Sequence, residues 1–258
     1  MIRYIINYIS KVFVIVEMEA RRLSHDYTEI FTRAIQPALW LVIFGEVFSR
    51  YKIIPTGNMS YLDYITPGIL SQSVLFIAIF YGILIVWERD LGLLSKLIVS
   101  PAPRSAIVLG KALSSSIKCL AQAVVVLILA IILKVKIIPN PLYLMGVFGV
   151  VILSATCFAS LSIFIASSMK TRERFMGIGQ VLTMPLFFAS NALYPLSAMP
   201  DWIKFVSIIN PVTYMVSALR SLLITGDLTS LPFDVSILLI ITVAFVTFAS
   251  ISFRTILE

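Results

Sequence analysis

The sequence predicts an all-α, multi-pass membrane protein, and three observations predict it. Hydrophobic residues make up 59% of the 258 and charged residues only 13%, about half of the ~25% usual in soluble domains. Four runs, 65–87, 142–169, 175–200 and 235–253, carry no charge at all, and each is near the ~20 residues that cross a bilayer. The basic residues are unevenly shared between the loops. Six of the 20 Lys and Arg (Arg50, Lys52, Lys134, Lys136, Lys204 and Arg220) fall on one side of the resulting topology, and the remaining 14 on the other.

Residues 1–23 read as a basic amphipathic helix. Ile2, Ile5, Ile6, Ile9, Val12, Phe13, Val16, Ala20 and Leu23 follow helical spacing, with Arg3, Asn7, Lys11 and Glu17 largely opposite. That pattern suits a helix lying in the membrane interface. It is not a secretory signal, because Asn7, Ser10 and Lys11 interrupt the apolar stretch and it leads to no small-residue cleavage site. Two spans less clean than the four runs complete the set. One covers about 32–49, with Pro37 in its first turns and Glu46 near its far end. The other covers about 114–133, with Lys118 placed to snorkel.

Six spans put both termini on one side, and the positive-inside rule makes that side the cytoplasm of a plasma or inner membrane. The net charge of +7 is thereby assigned to membrane orientation rather than to nucleic acid. Between Lys204 and Arg220 the uncharged stretch is only 15 residues long and is broken by Asn210-Pro211. It is short for a span, and proline removes a helix hydrogen bond. Residues 200–226 therefore read as a pair of short re-entrant helices on the outer side. The whole chain, 1–258, reads as a single membrane domain.

Between the second and third spans lies a charged loop, 88–104, with the sequence "ERDLGLLSKLIVSPAPR". Glu88 and Asp90 are expected to open a short helix, where negative charge suits the N-terminus. Leu94, Leu97 and Ile98 would form its apolar stripe, and Pro101 and Pro103 would stop it. Such a helix can float on lipid headgroups or seat its stripe in a groove of a soluble partner. Periodicity does not separate the two.

The residues offer little chemistry of their own. "SAIVLGKAL" departs from a P-loop, with Ser105 in place of the first Gly and Ala112 in place of the magnesium-holding Ser/Thr. One His and two Cys build no metal or disulfide framework. The second, fourth, fifth and sixth spans have no acid or His at their centres, which disfavours an ion-coupled carrier. A membrane scaffold or lipid-modifying factor using the same loop on lipid is the rival reading. Neutral polar groups in the spans remain: Gln72, Ser154, Thr156, Gln180, Thr183 and Asn191.

Two stretches carry a family resemblance. Glu88-Arg89-Asp90, Gly92, Leu93, Leu94, Leu97, Pro101 and Leu109-Gly110-Lys111 resemble the cytoplasmic loop of ABC exporter permeases of the drug, polysaccharide and lipo-oligosaccharide family. Tyr194-Pro195, Pro200, Trp202, Asn210-Pro211, Tyr214, Arg220 and Gly226 resemble the outer segment of the same family. Leu93 is a departure, since many members have Thr there. The resemblance implies a half-transporter that pairs with a second permease, usually an identical copy. It also implies two separate ATPase subunits that bind the ATP and magnesium, leaving this chain with no cofactor or catalytic residue. Glu88, Arg89, Asp90, Gly92, Leu94, Leu97 and Ile98 would then form the ATPase-coupling helix. Gln180, Thr183, Phe187, Asn191 and Tyr194, on and after the fifth span, would lie near the permease–permease interface and the path of a drug, lipid or lipid-linked glycan.

Overall fold

A computed structural model describes residues 2–23, 27–45, 47–48, 59–94, 102–169 and 171–253. Every regular element among them is helical. Helix α1 covers Ile2–Leu23, and α2 covers Tyr27–Leu39, running on into a π-helical turn, Trp40–Gly45. They are followed by α3 (Tyr61–Asp90), α4 (Arg104–Ile132), α5 (Pro141–Ser167) and α6 (Arg172–Phe188). Two short helices come next, α7 (Asp201–Ile209) and α8 (Pro211–Arg220, continued by a π turn Ser221–Thr225), and then α9 (Leu231–Ser252).

Helices α3, α4, α5 and α9 are long and apolar enough to cross a membrane. The apolar part of α2 and its π turn, Ile35–Gly45, is shorter, and α6 has 17 residues. The expected fifth span, 175–200, is therefore not one helix. It stops at Phe188, just after Pro185, and the carboxamide of Asn210 closes its end by donating to the carbonyls of Leu186 (2.7 Å) and Ala189 (3.2 Å). An uncharged run registers lipid solubility, and a capped helix end with a turn behind it is equally uncharged.

Helix α5 is the hub, packed on α3, α4 and α9. Its buried face is largely small: Ser154, Ala155, Ala159, Ser160, Ser162 and Ala166. Because lipid solvates apolar side chains as well as other helices do, small residues that allow close van der Waals approach drive such packing. Polar contacts cross the same interfaces. The Tyr81 and Ser114 hydroxyls lie 2.7 Å apart, and Gly82 N donates to Ser162 Oγ at 2.9 Å.

The connections sort into two ends. At one, Tyr61 and Tyr64 meet Leu193 and Asn191, the backbone N–H of Lys136 donates to Asp63, and Ile138 N donates to Leu223 O. At the other lie Glu19, Glu88, Asp90, Lys111, Met169 and Arg172. This grouping matches the division of loops drawn from the basic residues. The pair α7–α8 is bent by 83°. Its bend, at Asn210, lies against the last turn of α6, while Arg220 returns to Tyr64 and Asn191. The segment thus bends at Asn210-Pro211, where the sequence breaks, and its second helix ends against Tyr64.

Helix α1 forms over the predicted residues, but it does more than float. Val12, Ile15 and Glu19, at i, i+3 and i+7, are buried against α4, while Ile6, Ile9 and Phe13 stay exposed. Gly110 makes this approach possible, since a Cβ there would lie 2.9 Å from Ile15 Cβ.

Candidate functional site

The charged loop departs most from expectation where its acids lie. Glu88, Arg89 and Asp90 do not open a separate helix; they complete the last turn of α3, which runs unbroken from Tyr61 to Asp90. The helical face that buries Ile85 carries on to Glu88, which is only 3% exposed. A carboxylate taken out of water needs a cation, and Lys111 of α4 supplies it. The Lys111 ammonium, itself 0% exposed, donates to Glu88 Oε2 at 2.6 Å and Oε1 at 2.8 Å. It donates also to Glu19 of α1. One cation is thus clasped by two acids from two other helices, joining α1, α3 and α4 at one point.

Around this trio the end of α3 is tied to the α5–α6 turn. Arg89 Nη1 donates to Met169 O at 2.7 Å. Arg172 lies 3.4 Å from Asp90 and stacks its guanidinium 5.0 Å from the Trp87 ring centre. Leu91 caps α3, and Gly92 at φ 69° turns the chain away; that left-handed backbone favours glycine. The leucines on either side of Gly92 differ sharply. Leu94 is 0% exposed and belongs to the core, whereas Leu91 is 59% exposed and Leu93 is open beside it. Lys96, Leu97, Ile98 and Pro101 lie outside the described residues, as does Glu46.

The residues expected along a substrate path do not share one surface. Gln180 is exposed. Thr183 and Phe187, one turn apart, are buried on the core side of α6, with the Thr183 hydroxyl donating to Gly179 O. Asn191 is buried at the Tyr64 end, where its carbonyl accepts from Tyr64 Oη (3.1 Å) and Arg220 Nη2 (2.9 Å). Tyr194 is half-buried and donates to Phe188 O. Arg220 also stacks over Tyr64, 3.9 Å from its ring centre. This arginine ties α8, α3 and the turn after α6 together.

The open face of α6 instead borders an apolar cavity of about 720 Å³. Ile178, Val181 and Pro185 of α6 face Phe205 and Ile209 of α7, with Phe245 of α9 beyond. Polar groups in spans do not point to these residues, because their common signal is exposure on one helical face, which no single side chain announces. Among the described residues no group of three or more His, Cys, Asp or Glu is placed to hold a metal.

Together these features define a multi-pass helical membrane protein with a charged clasp at one end and an arginine lock at the other. The family model for the ABC-2 type transporter matches residues 10–224. The chain belongs to the ABC-2 type transporter membrane family. It is 28% identical over 220 residues to the "Putative transport permease ycf38" of Cyanophora paradoxa, covering 83% of this chain and 74% of that one. It is 25% identical over 213 residues to the "Probable doxorubicin resistance ABC transporter permease protein DrrC" of Mycobacterium tuberculosis, covering 81% and 75%. The "Probable multidrug ABC transporter permease YbhR" of Escherichia coli strain K12 matches at 25% over 167 residues, covering 64% and 45%.

Proposed function

We propose that this chain is the permease half of an ATP-driven exporter, working as a homodimer with two separate ABC ATPase subunits. Six spans (α2 with its π turn, α3, α4, α5, α6 and α9) would put the Glu88 end and both termini in the cytoplasm of a plasma or inner membrane. The bias of 14 of 20 basic residues toward that end supports the orientation. The cargo would be a hydrophobic or amphiphilic molecule, a drug, lipid or lipid-linked glycan, moving along α6 past Gln180 and the apolar cavity toward Tyr194.

The observation that carries this reading is the division of labour in the 88–104 loop. Glu88 and Leu94 are buried anchors, and between them Asp90, Leu91 and Leu93 are presented outward at the end of α3 and in the turn that follows it. Apolar side chains held open beside a fixed charge cluster suit a groove on a soluble partner. Leu97 and Ile98 belong to the same proposed contact.

Site-specific crosslinking tests it. Cys119 and Cys157 are the chain's two cysteines and both are buried, so Leu91→Cys provides one reactive thiol. In membranes of the source cell a crosslinker there should capture a P-loop ATPase, and ATP should change the yield. Capture of lipid alone would favour the scaffold reading, and modification of the introduced thiol from outside intact cells would reverse the orientation.

A further inference from the structure

A second cavity, of about 280 Å³, lies between α2, α3 and α4, away from the α6–α7 cavity. Its wall on α3 runs from Gln72 to Phe80, and Gln122 faces it from α4. Gln72 is the twelfth of the 30 residues of α3 and Gln122 the nineteenth of the 29 of α4. Both carboxamides thus stand near the middle of helices long enough to cross a membrane. Polar groups at that depth are expensive and mark sites where something pairs with them. Gln122 is 2% exposed, and its amide nitrogen has no hydrogen-bond partner among the described residues. A buried amide nitrogen brings two donors and demands an acceptor.

The lining chooses among ligands. A carboxamide donates, accepts and carries no charge, so the two amides complement a group that does the same. The Ser73 hydroxyl beside them already donates to Ile69 O at 2.9 Å. Arg33, exposed on α2, is engaged with a partner of its own, so recognition falls to Gln72 and Gln122. Depth points the same way, because taking an ionised head out of water costs far more than taking out a hydrogen-bonded neutral one. Phe76 and Phe80, stacked with ring centres 6.1 Å apart, give one side an apolar wall. The volume is at the lower bound of about 300 Å³ for small-molecule sites, so it suits a small head and the start of one chain. Gln36 of α2 is exposed, while Gln72 and Gln122 are buried, so the cavity is entered past α2 and closes on the two inner amides.

We propose that this cavity binds the uncharged, hydroxyl-bearing head of a single-chain amphiphile. Gln122 Nε2 donates to an oxygen of that head, the Gln72 carboxamide exchanges a hydrogen bond with a hydroxyl, and the apolar chain runs along Phe76 and Phe80. The site is distinct from the proposed path on α6 and stands without the exporter reading, since binding here needs neither ATP nor a partner chain.

Native mass spectrometry of the purified chain tests it, with titrations of monoolein, methyl oleate and oleoyl lysophosphatidate. The three share one tail; the second lacks hydroxyl groups and the third adds a charged phosphate. Monoolein should bind more tightly than either. Gln122→Leu should weaken monoolein by about 3–10-fold, the size of one neutral hydrogen bond, and leave methyl oleate unchanged. Gln72→Leu provides a second variant if the first fails to fold, and it should act in the same direction. The thermal midpoint of each variant in detergent separates lost binding from lost structure, and the ranking of the three ligands on the parent chain needs no variant. Methyl oleate binding as tightly as monoolein overturns the proposal, since the head would then have no part. So does lysophosphatidate binding as tightly as monoolein, or monoolein binding unchanged in both variants.

Discussion

Lys111 Nζ lies 2.6 Å from Glu88 Oε2, with both side chains out of reach of solvent, and the same ammonium serves Glu19 of α1. Two acids share one ammonium, and Glu88 takes two of its three hydrogen bonds, so the members are not equivalent. Lys111→Met leaves two carboxylates buried together without a cation, and removing one partner of a buried pair costs about 3–5 kcal/mol. Glu19→Gln keeps the Lys111–Glu88 pair and an acceptor oxygen for the Lys111 ammonium, and should cost under about 1 kcal/mol. Thermal unfolding of both variants in detergent checks the asymmetry; equal losses would refute the clasp.

Exposed and buried leucines of the loop should fail in different ways. If the loop docks on an ATPase as proposed, Leu91→Ser and Leu93→Ser should leave thermal stability unchanged and weaken that association by about 1–2 kcal/mol, some 5–30-fold. Leu94→Ala empties a core position and should destabilise the fold by about 2–5 kcal/mol. Titration of the partner ATPase against each variant, with unfolding measured alongside, separates them.

Gly110→Ala sets a methyl group against Ile15 and the carbonyl of Val12. Overpacking of this kind costs about 1–3 kcal/mol, and it should be relieved by α1 lifting away from α4. A cysteine placed at Ile15, buried in the parent, should become reactive in the Gly110→Ala background and stay protected without it.

Arg220→Lys keeps the charge yet cannot hold the Tyr64 and Asn191 carbonyls together while lying flat on the Tyr64 ring. Loss of the lock should cost about 1–3 kcal/mol. Hydrogen exchange should speed up in residues 189–200 and leave α5 unchanged.

How much of this was legible in the sequence depends on whether an element's partners are near it in the chain. Helices α3, α5 and α9 announce themselves because hydropathy is local, and α1 does so because its period is. The bend between α7 and α8 is written in Asn210-Pro211, where a cap and a missing N–H stand together between Lys204 and Arg220. The clasp is not written anywhere. Lys111 is 23 residues from Glu88 and 92 from Glu19, and neither acid differs from a solvated one until the helices are packed. For the same reason the polar residues of 175–200 suggested a lined path, whereas Thr183, Phe187 and Asn191 turn toward the protein and Val181 and Ile178 turn away from it. The direction each side chain takes is set by α3 and α8, elements remote in sequence.

Helix α3 bears Tyr64 near its first turn and Glu88 near its last, 24 positions apart in one helix whose interior proline, Pro67, withholds a single hydrogen bond. At 1.5 Å per residue that is a strut of about 36 Å. The acidic clasp at Glu88 and the Arg220 lock on Tyr64 are therefore the two ends of one rod.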